Sequence, residues 1–277
     1  MSIRFSLLSL GFAAVFAAGT PAVGQIKIYV ETDLEGASGV YKFAQSRETG
    51  PLNDQAKEYL MGDIAAVVRG LRDGGASEIV VVDGHGPQAF VPHLIEPGAK
   101  YVTGKPRSGG RWGLDSSFSG VVMLAFHAMN GTPDGVLCHT QSSKGENRYW
   151  YNGVESGELV QTAARAAHFD VPPILVTGDE ATCREATKFF GTSCVTVAVK
   201  QGISREAAAL YPFAETRKAL YEGAKRAIAA IPNCKPYRLE LPIKAKMQYL
   251  KSDSPSSKPR LVTKEGTVTD LLHLLNF

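Results

Sequence analysis

The sequence predicts an α/β fold, with a mostly parallel, twisted sheet flanked by helices and a smaller C-terminal α/β region. Near-continuous apolar, β-branched runs recur along the chain, which is typical of strands buried on both faces of a parallel sheet. A helical pattern separates the first two runs, and a strand–helix–strand order implies a right-handed crossover between parallel strands. Acidic or histidine residues follow the runs. Ligands in such folds bind beyond the carboxyl ends of the strands, so these side chains are candidates for function.

The first element is an N-terminal segment typical of exported proteins. Residues 1–4 carry Arg4, and an apolar run follows over residues 5–18. Small residues at Ala22 and Gly24 suit a cleavage site, which would place the mature N-terminus near Gln25. The apolar run is short for a membrane span. We therefore expect residues 1–24 to be a signal peptide and the protein to be exported, either periplasmic or secreted.

The first predicted strand, residues 26–30, leads into two acidic residues. Asp33 and Glu35 are two positions apart, and in an extended chain such side chains point to the same face. Gly36 then permits a sharp exit. Two converging carboxylates repel each other unless a positive group lies between them, and a metal ion commonly fills that role. Taken alone, the segment also fits a solvated acidic turn.

Histidines follow the later predicted strands. A helix over residues 54–73 ends at Gly74-Gly75, and the strand 79–82 that follows it leads into Asp83-Gly84-His85. The strand 121–126 ends at His127, and a shorter strand, 135–138, ends at His139. The predicted fold brings these strand ends to one edge of the sheet, together with the acidic pair.

These residue types match the ligands of zinc. A single histidine at a strand end is more often a hydrogen-bonded structural residue, and we assign His93, His168 and His273 to that class. Three of the six histidines at three strand ends, with two acids at a fourth, favour a metal site. Glu158, at the start of a helical stretch reaching about residue 168, is a further candidate ligand. An acid there also fits simple helix-end electrostatics.

Several motifs, taken in order, resemble the DppA-type zinc D-aminopeptidases, a family of dinuclear metallo-aminopeptidases. The resemblance extends from Lys27 to about Ile231. It rests on the following segments: Asp33-Leu34-Glu35-Gly36-Ala37-Ser38-Gly39, Asp83-Gly84-His85, Phe126-His127-Ala128, His139-Thr140, Gly157-Glu158-Leu159 and residues 198–205, Ala-Val-Lys-Gln-Gly-Ile-Ser-Arg.

The resemblance implies a division of roles among these residues. It implies two zinc ions per chain, with Asp33 as the bridging carboxylate. Glu35 and His127 would complete one zinc site, and His85 and Glu158 the other. His139 matches the family's active-site histidine that is not a ligand, which would act on protons or on the charge of an intermediate.

The resemblance also implies an activity and an assembly. The chain would be an aminopeptidase that removes N-terminal residues, D-residues in particular, from short peptides by means of a metal-activated water. It would form a homo-oligomer, a closed ring such as a decamer. The alternatives are another metal-dependent amidase on the same scaffold, and a non-catalytic protein that binds peptides or metal.

Six further residues are candidates for supporting roles, and five of them have two open alternatives. Asp83 would either orient an imidazole or act as a hydrogen-bonded turn acid. Lys200 and Arg205 would either neutralise a substrate carboxylate or hold an interface. Cys138 is expected to be a packed thiol. Cys183 and Cys194 would either form a disulfide or remain free, because sequence does not determine connectivity.

The last third of the chain changes in character. A helix is predicted over residues 180–190 and a strand over 195–199. A soft boundary near residue 200 would separate a catalytic domain, 25–199, from a smaller domain, 200–277. Within the latter, residues 204–231 are helical in pattern, 238–244 alternate like a strand, and 251–258 have the composition of a linker. The C-terminal tail is shorter than the family's usual strands and helix.

The charge of the chain is close to neutral. The formal net charge is +3, of which Arg4 contributes one charge, so the mature chain would carry +2 (3 − 1). That charge is too small and too dispersed to indicate a nucleic acid or an anionic membrane as a partner. We therefore expect neither.

Overall fold

The computed structural model describes residues 25–86, 88–105, 113–254 and 257–277. The predicted signal peptide lies outside these residues, so that expectation stays a prediction. Within the described ranges, no helix combines the length and the apolar character that crossing a membrane requires.

Eleven strands and five α-helices make up the described chain. The strands are β1 (Lys27–Thr32), β2 (Glu78–Asp83), β3 (Lys100–Val102), β4 (Gly120–Leu124), β5 (Arg148–Tyr151), β6 (Val154–Ser156), β7 (Pro173–Asp179), β8 (Val195–Ser204), β9 (Ala207–Leu210), β10 (Ile243–Lys251) and β11 (Arg260–Val268). The helices are α1 (Phe43–Ser46), α2 (Pro51–Asp73), α3 (Glu158–Ala167), α4 (Glu180–Phe190) and α5 (Phe213–Ala230).

The main sheet has seven strands in the order β3-β2-β1-β4-β7-β8-β9. All neighbours are parallel except β8 and β9, which pair antiparallel at one edge. Side chains alternate between two buried faces: Ile28 and Val30 pack on the side of α2 and α5, and Tyr29 on the side of α3. Burial on both faces explains the continuous apolar runs and confirms the predicted fold class.

A second, smaller sheet is antiparallel, in the order β11-β10-β5-β6. It joins a mid-chain hairpin to the C-terminal strands, and its apolar side packs against α3 through Val160, Ala164 and Ala167. Ala163 of the same helix packs in a cluster with Met123 of the main sheet. Helix α3 therefore lies between the two sheets and is buried along most of its length.

The structure corrects four of the predicted elements. Residues 135–138 form a turn, not a strand, because the N–H groups of Val136 and Leu137 bond to the Asp179 carboxylate and the Arg205 carbonyl instead of to a neighbouring strand. The helix predicted over 204–231 begins only at Phe213, after β9. The strand predicted over 238–244 begins at Ile243, where pairing with β5 and β11 becomes possible. Residue 200, the predicted boundary, lies inside β8 of the main sheet.

Candidate metal centre

The loop after β1 is pressed against the end of β4. The Asp33 N–H donates to the Leu124 carbonyl at 2.9 Å, and the Gly36 N–H donates to the Ala125 carbonyl at 2.8 Å. A Cβ at position 36 would lie 1.9 Å from the Phe126 carbonyl oxygen, so only glycine allows this approach. The carboxylates of residues 33 and 35 are thereby brought beside the histidine that follows β4.

Lys200 holds the same loop from below. Its side chain is fully buried, and Nζ donates to the carbonyl oxygens of Glu35, Ala37 and Val40 at 2.6, 2.9 and 2.5 Å. Burial lowers the pKa of Lys200 to about 8. The ammonium therefore fixes the backbone of the loop from inside the protein. The sequence had suggested that Lys200 reaches a substrate or a subunit interface, but its buried side chain can reach neither.

His85 lies on the open side of the acidic pair. Its Nδ1 is 2.9 Å from Asp33 Oδ1 and 3.0 Å from Glu35 Oε2. Its Nε2 donates to the Ser46 carbonyl at 2.9 Å. That bond gives Nε2 a proton, so Nδ1 is the ring atom that faces the two carboxylates. Burial opposes protonation of His85, but the charge of Glu35 and the hydrogen bond to Asp33 raise its pKa well above the usual value.

The two other histidines stack on each other with ring centroids 3.9 Å apart. His127 Nδ1 donates to the Ala128 carbonyl at 3.0 Å, and its Nε2 lies 3.3 Å from Asp33 Oδ2 and 3.5 Å from Glu158 Oε1. His139 Nδ1 donates to the Leu137 carbonyl at 2.8 Å, and its Nε2 lies 3.9 Å from Glu158 Oε1.

All three imidazoles share one arrangement. One ring nitrogen donates to a backbone carbonyl, and the other faces carboxylate oxygens. Metal-bound histidines have this arrangement, because the outer hydrogen bond fixes the tautomer and directs the free lone pair at the ion.

The electrostatics of the cluster favour a cation. Burial opposes ionisation of Asp33, yet hydrogen bonds and charges of His127 and His85 lower its pKa well below the usual value. Burial likewise opposes ionisation of Glu158, but His127 and His139 lower its pKa to about 2. Burial and the charge of Asp33 raise the pKa of Glu35, but His85 and His139 together outweigh them and lower it. Three carboxylates, of which Asp33 and Glu35 are buried and Glu158 is partly exposed, thus stay ionised beside the imidazoles. Such a concentration of negative charge favours a bound cation.

Two atoms at the centre lack a hydrogen bond. Glu35 Oε2 and His127 Nε2 are both buried and have no partner of acceptable geometry. Buried polar atoms are rarely left without partners in native proteins, and a bound ion is one recognised explanation. A carboxylate oxygen and an imidazole lone pair that both lack a proton donor fit a divalent cation such as zinc.

The ligand atoms form two compact groups. Asp33, Glu35 and His127 have ligand atoms within 4.8 Å of one another, and this is the trio that the resemblance implies for one zinc site. The second group is His127, His139 and Glu158. The resemblance instead pairs His85 with Glu158 and leaves His139 free of metal. The structure places all six predicted residues in one cluster, and the assignment of His85 and His139 stays a prediction.

Glu158 and His139 are connected through the backbone. Glu158 is the first residue of α3, and its Oε1 accepts a hydrogen bond from the Gln141 N–H at 2.7 Å. Both Leu137 and Gln141 have positive φ values, 53° and 65°, so the segment around His139 is tightly curled. Arg205 holds it by donating Nε to the Cys138 carbonyl at 3.1 Å. The pattern of the sequence gave no indication of these supports.

The remaining predictions near the site have clear outcomes. Asp83 is fully buried and its Oδ2 accepts hydrogen bonds from the Ala89 N–H and the Thr103 hydroxyl, both at 2.9 Å, which matches the role of a turn acid. Cys138 is a buried free thiol, as expected. Cys183 and Cys194 are free as well.

Comparisons with known proteins agree with the fold. The profile of the Peptidase_M55 family, described as D-aminopeptidase, matches residues 26–258. A D-aminopeptidase from Bacillus subtilis (strain 168) is 32% identical over 188 residues, which span 66% of this chain and 66% of the relative. The solved structure of the Zn-dependent D-aminopeptidase DppA from Bacillus subtilis, described as a self-compartmentalizing protease, superposes with a TM-score of 0.79. That match has 22% identity and covers 90% of this chain and 94% of the other.

Proposed function

The chain belongs to the Peptidase_M55 family of D-aminopeptidases, and from that premise we propose that it is a dinuclear zinc aminopeptidase. It removes N-terminal residues, D-residues in particular, from short peptides. The observation that carries the proposal is the buried cluster of carboxylates and imidazoles, in which Glu35 Oε2 and His127 Nε2 have no hydrogen-bond partner.

Five side chains would hold the metal: Asp33, Glu35, His85, His127 and Glu158. When bound, a pair of zinc ions lowers the pKa of a water molecule and polarises the scissile carbonyl. Asp33 has Oδ1 directed at His85 and Oδ2 directed at His127, so its two oxygens face opposite sides of the cluster. This orientation suits a carboxylate shared between two ions.

His139 has the properties of a proton carrier. Burial and the neighbouring His127 lower its pKa, which keeps the imidazole neutral near neutral pH. Its Nδ1 proton is committed to the Leu137 carbonyl, so Nε2 is the basic atom and faces the cluster. We assign to Nε2 the acceptance of a proton from the attacking water and its delivery to the departing amine.

Metal analysis and activity tests examine this proposal together. Purified protein is expected to contain close to two zinc ions per chain, to lose activity on chelation and to regain it with zinc. It should cleave D-aminoacyl amides and short peptides with a free N-terminus. His273, outside the cluster, provides a control: His273→Ala should retain both zinc and activity. Absence of transition metal, with activity unaffected by a chelator, would refute the zinc proposal.

The choice of test peptides separates the alternatives. Cleavage of amides that lack a free N-terminal amine would indicate a different metal-dependent amidase. Zinc binding without turnover of any peptide or amide would indicate a binding protein. A preference for L-substrates would refute the stereochemical part of the proposal alone.

We also propose an assembly and a location. The solved relative is described as self-compartmentalizing, which supports a homo-oligomer, a closed ring such as a decamer, that admits short peptides and excludes folded proteins. Light scattering that gives the mass of a single chain, or rapid digestion of a folded protein, would contradict this. The N-terminal pattern supports export, and N-terminal sequencing of the mature protein should begin near residue 25.

A further inference from the structure

Two guanidinium groups flank one aromatic ring beside the metal centre. The Phe43 ring lies edge-to-face with His139, with centroids 6.4 Å apart at 65°. Arg47 Cζ lies 3.3 Å from the centre of the Phe43 ring, and Arg205 Cζ lies 5.2 Å from it. The positive charges of Arg47 and Arg205 therefore lie against the same ring that packs on His139, the proposed proton carrier.

The two arginines differ in how their charges are balanced. Arg205 forms an ion pair with Glu146 at 2.7 Å and donates Nε to the Cys138 carbonyl. Arg47 donates Nε to the Ser143 hydroxyl and Nη2 to the Ser143 carbonyl, both at 2.6 Å. Within the part of the chain that the structure describes, Arg47 has no carboxylate within ion-pairing distance, and its Nη1 has no acceptor. Arg47 thus has a donor and a charge available to a ligand.

The surroundings of Arg47 favour an anionic ligand. The guanidinium is only partly buried, so a ligand can reach it. Burial and repulsion from Arg205 lower the pKa of Arg47, although the charges of Glu206, Glu35 and Glu146 act in the opposite direction. An anion bound at the guanidinium would offset the repulsion from Arg205. A planar guanidinium with a free edge matches a carboxylate, which accepts parallel hydrogen bonds from it.

We propose that Arg47 binds the C-terminal carboxylate of the peptide substrate and so selects very short peptides with a free C-terminus. This inference rests on the proposed aminopeptidase function and deepens it. A peptide that places its N-terminal residue at the metal centre would direct its other end toward this arginine.

The distance from the metal centre suits two or three residues. Arg47 directly follows Ser46, whose carbonyl accepts the hydrogen bond from His85 Nε2 at 2.9 Å. The Phe43 ring connects the guanidinium to His139 through contacts of 3.3 and 6.4 Å. Arg47 Cζ therefore lies no farther from the centre of the His139 ring than the sum of these two distances. An extended peptide advances roughly 3.3–3.6 Å per residue, so two or three residues cover that separation. A longer chain would place an uncharged peptide bond at Arg47.

Short-range contacts keep the arginine in place. The Phe43 N–H donates to Glu206 Oε1 at 2.8 Å, and the Arg47 N–H donates to the Phe43 carbonyl at 2.8 Å. Together with the two bonds to Ser143, these contacts fix the guanidinium on the ring before a substrate arrives. A pre-positioned charge discriminates more strongly than a mobile one, because binding orders fewer side chains.

The experiment compares a peptide acid with its amide. The zinc-loaded wild-type protein is assayed on D-Ala-Gly and on D-Ala-Gly amide, which differ only in the C-terminal charge. We expect a preference for the acid in kcat/KM of about 10- to 100-fold, the range of one charge-assisted hydrogen-bond pair. Arg47→Met should lose this preference, because kcat/KM should fall for the acid and should stay within about 3-fold of the wild-type value for the amide.

Two further variants provide the controls. Lys144→Met removes an exposed positive charge next to Ser143 in the same loop and should retain the wild-type preference. Arg47→Lys keeps the charge without the planar fork and should recover part of the preference. Zinc content and circular dichroism confirm that each variant is folded.

The possible failures are distinguishable. Equal cleavage of acid and amide by the wild-type protein would refute the role of Arg47 and leave the proposed function intact. An equal loss of kcat/KM on both substrates in Arg47→Met would also refute the role of Arg47. A loss of the preference for the acid in Lys144→Met would refute it as well. No cleavage of either peptide by zinc-loaded wild type would refute the proposed function, and this inference with it.

Discussion

Replacing Lys200 with methionine tests whether the buried ammonium positions the ligand loop. The change removes three hydrogen bonds, of 2.5 to 2.9 Å, from the carbonyls of Glu35, Ala37 and Val40. Losing this partner costs roughly 1–3 kcal/mol for each of the Glu35 and Val40 carbonyls, and less for the Ala37 carbonyl, which also accepts the Val40 N–H at 3.2 Å. Part of this is offset, because burial has lowered the pKa of Lys200 from 10.5 to about 8, and removing the buried charge returns about 3 kcal/mol. We expect a net destabilisation of about 2 kcal/mol.

The assay is urea unfolding of metal-free protein at matched concentration, followed by zinc titration of the folded variants. Because Lys200 supports the backbone of the loop, Lys200→Met should also bind zinc about 10- to 100-fold more weakly, as removal of outer supports of metal ligands does elsewhere. Lys218→Met, on the exposed side of α5, should change the unfolding free energy by less than about 0.5 kcal/mol. A loss below about 1 kcal/mol, or unchanged zinc affinity, would refute the reasoning.

Four other substitutions give distinct results. His139→Ala should retain zinc and lose about 10²-fold in kcat. Asp33→Ala should instead lose zinc and thermal stability together. Equal zinc loss in the two variants would contradict the division of roles. Gly36→Ala should lower the free energy of unfolding by about 2 kcal/mol or more, because the added Cβ would lie 1.9 Å from the Phe126 carbonyl oxygen. A urea midpoint near that of the wild type would show that the loop can move. Burial raises the pKa of Asp63 from 3.8 to about 6, so the free energy of unfolding falls as pH rises from about 3.8 to about 6 and stays at the lower value above that range. Asp63→Asn should therefore stabilise metal-free protein by up to about 3 kcal/mol at pH 8 and by little at pH 4, as urea midpoints at the two pH values would reveal.

Sequence reasoning predicted those parts of the fold that are determined by residues near one another in the chain. Burial on both faces requires continuous apolar strands, and β1, β2 and β4 follow such runs. Asp33, Glu35, His85 and His127 were found for the same reason, since each follows a strand of the main sheet. Their convergence follows from parallel pairing, which places the strand ends at one edge. Glu158 instead begins a helix, and His139 follows a turn.

The parts that the sequence did not predict depend on distant partners. Lys200 contacts carbonyls about 160 residues earlier in the chain, and no periodicity records such a contact. The apolar run at 135–138 has the composition of a strand, but the Asp179 carboxylate and the Arg205 carbonyl take its N–H groups. Strand β10 begins where its partners allow, so alternation in its own sequence placed it too early.

The position of α3 between the two sheets has a consequence for synthesis of the chain on the ribosome. The outer face of α3, at Val160, Ala164 and Ala167, packs against strands that are synthesised much later. Lys244 in β10, for example, bonds to Asn152, which precedes it by 92 residues. At a translation rate of about 5–20 residues per second, that delay is roughly 5–20 s. During this interval the helix that begins with Glu158 has an uncovered apolar side. A nascent chain interrupted before β10 therefore presents an exposed apolar surface where the finished protein has a buried helix.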